Sequence, residues 1–245
     1  MFEFNGTRAD DPDLGIYRVL RVLFPLLPGT EDRFLEMPGM DGAYDFGRDL
    51  QPRTIKVQFV MKHGTPEDLF SHAREVAAWL NAGKVKKFIY DYEPDKYYMA
   101  RPQGTVSLDR LMNKIGIVEV TFIAPDPFAY ALESKVADTF PAVNAGTAPC
   151  PALITATITE QTDSLKIALQ ETGEYIEIIP ESDFTPGDTI ALDTAQRTAT
   201  LNGEDVRRDM TILSTPGLLL PTGEFTLTAN PASVELEVEY RERWV

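Results

Sequence analysis

One cysteine and two histidines in 245 residues leave little from which to build a covalent or metal-bound framework. Cys150 stands alone, so no disulfide can form within the chain. The lack of a cross-link fits folding in a reducing cytoplasm. Lying between Pro149 and Pro151, Cys150 reads as a small linker residue. His63 and His72 match no zinc spacing, have no cysteine near them, and read as surface histidines. A glycine-rich phosphate loop and a Gly-x-Ser-x-Gly elbow are also missing. Among 38 acidic residues, pairs such as Asp41 and Asp45, or Asp91 and Glu93, need no catalytic explanation. The expectation is a chain that is not an enzyme and takes no cofactor or metal.

Long apolar runs are absent as well. The best candidate, around Val19 to Leu27, is interrupted by Arg21 and Pro25 and falls short of the roughly 20 residues a membrane helix needs. No basic run precedes an apolar one at the start, so no secretory signal is visible. Basic residues are scarce: 23 against 38 acidic ones, for a net charge of −15. From residue 151 onward, Lys166 and five arginines face seventeen acids, a net of −11. A polyanionic nucleic acid would be repelled there, and nothing earlier concentrates positive charge. Sequence-directed DNA binding and membrane insertion are therefore not expected.

What is present is a globular composition, 43% hydrophobic and 25% charged, in a length suited to one large or two ordinary domains. The organising stretch runs from Arg53 to Tyr130. Ile55, Val57, Phe59 and Met61 alternate with polar residues, the period of a half-buried strand. Thr65-Pro66-Glu67-Asp68 then offers a cap, a proline at the first helical position and an acid three residues after the cap. Leu69, Ala73, Val76 and Leu80 share one helical face, with Gly83 as the expected stop. Val85–Tyr90 and Lys96–Ala100 read as a hairpin turning at Glu93-Pro94-Asp95, and Val118, Val120 and Phe122 line a closing strand. Before this core, Phe2 and Phe4 suggest a short strand and Ile16–Leu20 another, while prolines and glycines punctuate a long irregular segment up to Asp49. That segment is unusually apolar for a solvated loop, through Leu23, Phe24, Leu26, Leu27, Phe34, Leu35 and Met37. It either packs on its own core or forms an interface.

After Tyr130 the pattern changes. Asn144 to Pro151 reads as a linker, placing the domain boundary at residues 145 and 146. Beyond it come short alternating strands separated by turns such as Asn202-Gly203, with no convincing helix. The last strand is the clearest: Val234, Leu236, Val238 and Tyr240 on one face, Glu235, Glu237, Glu239 and Arg241 on the other. The expected fold is mainly β, of α+β type: a β-sheet domain with one packed helix, then a β-sandwich.

Several phrases resemble the distal tail protein family of long-tailed, non-contractile bacteriophages. They are Phe2-Glu3-Phe4-Asn5-Gly6, Pro38 to Gly47, Pro52-Arg53-Thr54-Ile55, Ala77-Ala78-Trp79-Leu80, Tyr90 to Tyr98 and Phe122 to Tyr130, in that order. The resemblance implies a structural protein whose first domain forms a hexameric ring at the tip of the tail tube. The adsorption apparatus hangs from that ring, and the second domain is a galectin-like sandwich. The implied partners are further copies of the chain, the tail tube protein, tail-tip or tail-associated proteins, and receptor-binding or adaptor proteins. DNA would pass through without specific binding. The implied location is the virion tail tip, after assembly in the host bacterial cytoplasm. Phe24, Leu26, Leu27, Phe34 and Trp79 are the candidate partner-interface residues. The alternative is a carbohydrate-binding module for host-surface glycan, with Tyr175 and Phe184 as the aromatic platforms left free by the strand pattern.

Overall fold

The structure, a computed structural model, describes residues 1–245. In chain order it begins with β1 (Phe2–Phe4), β2 (Thr7–Arg8), a 3-10 turn at Pro12–Leu14, β3 (Ile16–Leu23), β4 (Thr30–Leu35), β5 (Tyr44–Leu50) and β6 (Arg53–Lys62). Then come α1 (Pro66–Leu80), β7 (Lys86–Tyr90), β8 (Glu93–Met112) and β9 (Ile115–Ala124). One sheet runs β2-β1-β7-β8-β9-β6-β3, and β4 and β5 pair only with each other. The period of two in β6 does what it implies: Ile55, Val57, Phe59 and Met61 are buried. They share the core with Phe2, Phe4, Phe88, Val118, Val120 and Phe122. At β1–β2 the chain turns on Asn5-Gly6, both with positive φ, a conformation that asparagine and glycine tolerate best.

The helix starts where the sequence indicates. Thr65 Oγ1 accepts the Asp68 amide at 3.1 Å, Pro66 occupies the first position, and Leu69, Val76 and Leu80 are buried. It stops earlier than expected. Asn81 is the cap, its N–H reaching the carbonyls of Ala77 and Ala78, while Gly83, with φ of 65°, serves the turn beyond. Leu80→Ala is expected to cost about 2–5 kcal/mol through the cavity it leaves, read by denaturant unfolding. A cost below about 1 kcal/mol would show that the site collapses onto the gap.

Two further expectations change in the structure. The β7–β8 hairpin turns at Asp91-Tyr92, not at Glu93-Pro94-Asp95, because Glu93 already pairs with Tyr90. Strand β8 also runs far beyond Ala100, reaching Met112 with register shifts on its way along β9. Those irregularities break the simple alternation that would have marked residues 101 to 112 as strand.

The chain divides into two compact units, Met1–Ala129 with Val245, and Tyr130–Trp244. The boundary therefore falls well before residue 145. After β10 (Ala129–Ala131), β11 (Lys135–Ala137), β12 (Ala142–Asn144), β13 (Ala152–Ile158), β14 (Leu165–Leu169) and β15 (Tyr175–Ile178) follow. The remainder is β16 (Thr189–Asp193), β17 (Thr198–Leu201), β18 (Glu204–Asp205), β19 (Gly223–Phe225), β20 (Leu227–Asn230), β21 (Val234–Tyr240) and β22 (Arg243–Trp244). β11 pairs with β21 and β12 with β19, so residues 130–145 belong to the second unit and are not a linker before it. Asn144 is fully buried, its side-chain amide donating to the carbonyl of Pro221 at 3.0 Å. This unit is a sandwich. The sheet β11-β21-β13-β16-β17-β18 and the sheet β15-β14-β20 share one core that includes Ile154, Ile190, Val238, Ile167, Ile176 and Leu227. Cys150 lies inside that core, where burial pushes its thiol up to about 11, so it stays protonated and inert at neutral pH.

Candidate assembly surface

The hairpin of β4 and β5 is an arm. Every residue from Gly29 to Asp49 is exposed, although the segment carries Phe34, Leu35, Met37, Met40, Tyr44 and Phe46. Phe34 and Phe46 are 61% and 67% accessible. Such a concentration of bare apolar side chains marks an interaction surface, because a lone soluble hairpin has nothing to gain from them. The arm is also acidic, with two arginines against six carboxylates between Thr30 and Leu50, a net of −4. A register shift between Asp32 and Phe34, facing Gly47 at φ of 88°, breaks its alternation, and Arg33 pairs with Asp49 across it.

Its root is tied down. Gln51 N–H donates to the carbonyl of Gly29 at 2.7 Å, and Gln51 Nε2 to Glu31 at 2.7 Å. Behind them sits Arg53, the largest fully buried side chain of the molecule. Arg53 has no carboxylate partner among its hydrogen bonds. Its Nη1 donates to the carbonyl of Pro25 at 2.7 Å and its Nε to that of Pro127 at 3.0 Å. Its guanidinium lies 5.8 Å from the Phe24 ring centroid and 5.3 Å from that of Tyr98. Burial around this cluster raises the Tyr98 phenol to about 12. Arg53 thus clamps the stretch that enters the arm against the end of the first unit.

The candidate interface residues separate accordingly. Leu26 is 95% exposed, and Leu27 and Phe34 are also open. Phe24 is half-buried, stacked on Tyr90 at 5.7 Å and edge-on to Tyr98 at 5.0 Å, so it anchors the arm from inside. Trp79 belongs to its own subunit's core. Its ring packs on Phe2 and Phe4 at 5.8 and 6.0 Å, and its Nε1–H donates to the carbonyl of Phe4 at 2.9 Å. Trp79→Ala is therefore expected to lower stability by about 3–5 kcal/mol, the usual range for losing a packed aromatic. Unchanged melting with weakened self-association would return Trp79 to the interface. Sequence reasoning missed the edge of β3. That strand pairs only with β6, and its outer side leaves Tyr17, Leu20 and Leu23 exposed. A long apolar edge of this kind is a template for another strand unless something covers it.

The other sites raised by the sequence lead elsewhere. His63 and His72 are not independent surface residues. Their rings stack at 4.2 Å against Gly15, where a Cβ would come within 2.4 Å of His63. No group of three or more histidine, cysteine, aspartate or glutamate side chains is arranged to hold a metal ion. No helix is long and apolar enough to cross a membrane. As for a sugar platform, Phe184 is buried in the sandwich core, and the Tyr175 ring is covered by Lys166 Nζ at 3.7 Å. Neither presents the free aromatic face that stacking on a sugar requires.

The two halves of the chain match two known families. Residues 10–124 match the phage tail protein RIFT-related domain, and residues 145–244 match the siphovirus-type tail component, C-terminal domain. Both describe components of a siphophage tail. Taking in most of the chain in the expected order, they show that it belongs to the distal tail protein family. Among solved structures, the SPP1 Dit protein, described as a paradigm of hub adsorption apparatus in Gram-positive infecting phages, aligns over 100% of this chain and 98% of its own. The TM-score is 0.81 at 15% identity, a likeness of fold. A chain of the phage P2 baseplate in its activated conformation aligns over 90% of each chain, with a TM-score of 0.45 at 11% identity. No curated protein sequence matches.

Proposed function

We propose that this chain closes into a ring, of six copies as the family implies, at the distal end of a siphophage tail tube. There it joins the tube to the tail-tip and receptor-binding or adaptor proteins. The observation that carries this reading is the arm: an acidic, apolar hairpin, exposed throughout and pinned at its root, has the form of an element that grips a neighbouring copy. The open edge of β3 supports it, since a head-to-tail contact that closes on itself would cover such an edge in every copy. Leu26, Leu27 and Phe34 are the side chains assigned to that contact, and DNA passes through the ring without specific binding. Assembly takes place in the host cytoplasm and the finished protein resides at the virion tail tip.

The test is native mass together with electron microscopy of the purified protein, alone and with the tube protein. A closed particle with a central hole and six-fold symmetry is expected. Replacing Phe34 and Phe46 by serine should leave the melting temperature unchanged and abolish the ring. A monomer at high concentration in the presence of the tube protein would overturn the reading.

A further inference from the structure

At one end of the sandwich the chain holds two large aliphatic side chains in water. Ile212 is fully exposed and Leu213 is 76% exposed, at the tip of the turn Thr211–Ser214. Ile179, 53% exposed, lies beside them, since its N–H donates to the carbonyl of Asp209 at 2.8 Å. The turn is fixed. Ser214 N–H donates to the Thr211 carbonyl at 3.0 Å, and the two hydroxyl oxygens are 3.0 Å apart. Glu177 N–H donates to Ser214 Oγ at 2.9 Å, and Thr211 N–H to the Glu177 carbonyl at 2.9 Å. The next residue, Thr215, donates to the carbonyl of Tyr175 at 2.8 Å. Strand β15 therefore holds both ends of the turn, and Ile212 and Leu213 are presented with little conformational entropy left to lose on binding.

The charge around this knob differs from that of the rest of the unit. Residues 130–244 hold seven basic side chains against nineteen acidic ones, a net of −12. Three of the seven serve elsewhere: Lys135 pairs with Glu242, Arg241 donates to the carbonyls of Ala131 and Leu132, and Arg243 donates to that of Pro149. The other four gather by the turn. Lys166 lies over Tyr175, Arg197 lies against Gly217, and Arg207 and Arg208 form the 3-10 turn that leads to Asp209. Arg207 is bound to Asp205, which leaves Lys166, Arg197 and Arg208 facing outward past Asp209.

We propose that the turn Thr211–Ser214 is a docking knob for another tail protein, one that offers an apolar pocket rimmed by carboxylates. Aliphatic anchors would fill the pocket and the basic collar would set the register, as at interfaces with a small buried core and a polar rim. A lipid surface fits less well. Two aliphatic side chains without an aromatic bury little area in a bilayer, and an anionic membrane would meet a unit of charge −12. The inference does not depend on ring closure.

Photo-reactive benzoylphenylalanine in place of Ile179, in purified tails carrying the full chain, tests it. Irradiation should give a cross-link to a different tail protein, on a peptide with apolar residues within a few positions of aspartate or glutamate. The double variant Ile212→Ser, Leu213→Ser should cut the yield at least tenfold, and Arg208→Glu severalfold, with the melting temperature unchanged because all three side chains are exposed. Ring formation is scored on the same preparation, so loss of the ring and loss of the cross-link are separate results. No cross-link, a cross-link to another copy of this chain, or one insensitive to Ile212→Ser, Leu213→Ser would overturn the proposal. So would binding to anionic phosphatidylserine vesicles that this double variant abolishes.

Discussion

Met1–Ala129 expressed alone should form rings, and Tyr130–Val245 should be a folded monomer. The first fragment keeps the arm, the β3 edge and nearly all the apolar surface that lacks a partner. The second carries −12, and six such units side by side would repel, an effect that salt screens but does not reverse. The cut matters. A fragment ending at residue 145 would keep β11 and β12 after removing β21 and β19, the strands they pair with. It would also strip Val143 of the Tyr240 hydroxyl that donates to its carbonyl at 2.8 Å. That longer fragment should therefore aggregate more readily than Met1–Ala129, through two unpaired edges. Size-exclusion chromatography with light scattering reads all three species. If Tyr130–Val245 oligomerises while Met1–Ala129 stays monomeric, the division of labour is inverted.

Arg53→Ala should cost the first unit about 3–5 kcal/mol, the range for removing one member of a buried polar arrangement. Two effects add. The carbonyls of Pro25 and Pro127 lose their donor, at about 1–3 kcal/mol for each buried group left unpaired, and the long side chain leaves a cavity between Phe24 and Tyr98. Arg53→Met separates them, because it refills much of the volume without restoring a donor. It should recover part of the loss. The arm root is held through the same carbonyl, so hydrogen exchange at residues 26 to 30 should quicken in both variants. A loss under about 1 kcal/mol in Arg53→Ala would show that the guanidinium is dispensable and the aromatic packing sufficient.

Much of this fold was legible because burial and backbone period agree. In β6, β9 and β21 alternate residues face a core, so a period of two survives in the sequence. The helix announced itself through Thr65 and Pro66, since an N-terminus must satisfy its free amides locally. The Asn5-Gly6 and Asn202-Gly203 turns need positive φ, which few other residues adopt cheaply. The candidate site was only half legible. Apolar residues between Leu23 and Met37 stood out, but their number is the same whether they cover a core or wait for a partner.

Sequence alone determined the class of each half, the place of the one helix, the acidity of the sandwich and the absence of any internal disulfide. Each rests on local chemistry or composition. Tertiary structure decided the rest, because it turned on neighbours distant in the chain. Trp79 went to the core when Phe4, 75 residues away, offered its carbonyl. Phe24 turned inward onto Tyr90 and Tyr98, whereas Leu26, two positions on, stayed in water. Residues 130–145 joined the second unit once β21 and β19 were there to pair with them. Arg53, at the start of an ordinary alternating strand, became the clamp of the arm only because the carbonyls of Pro25 and Pro127 converge on it.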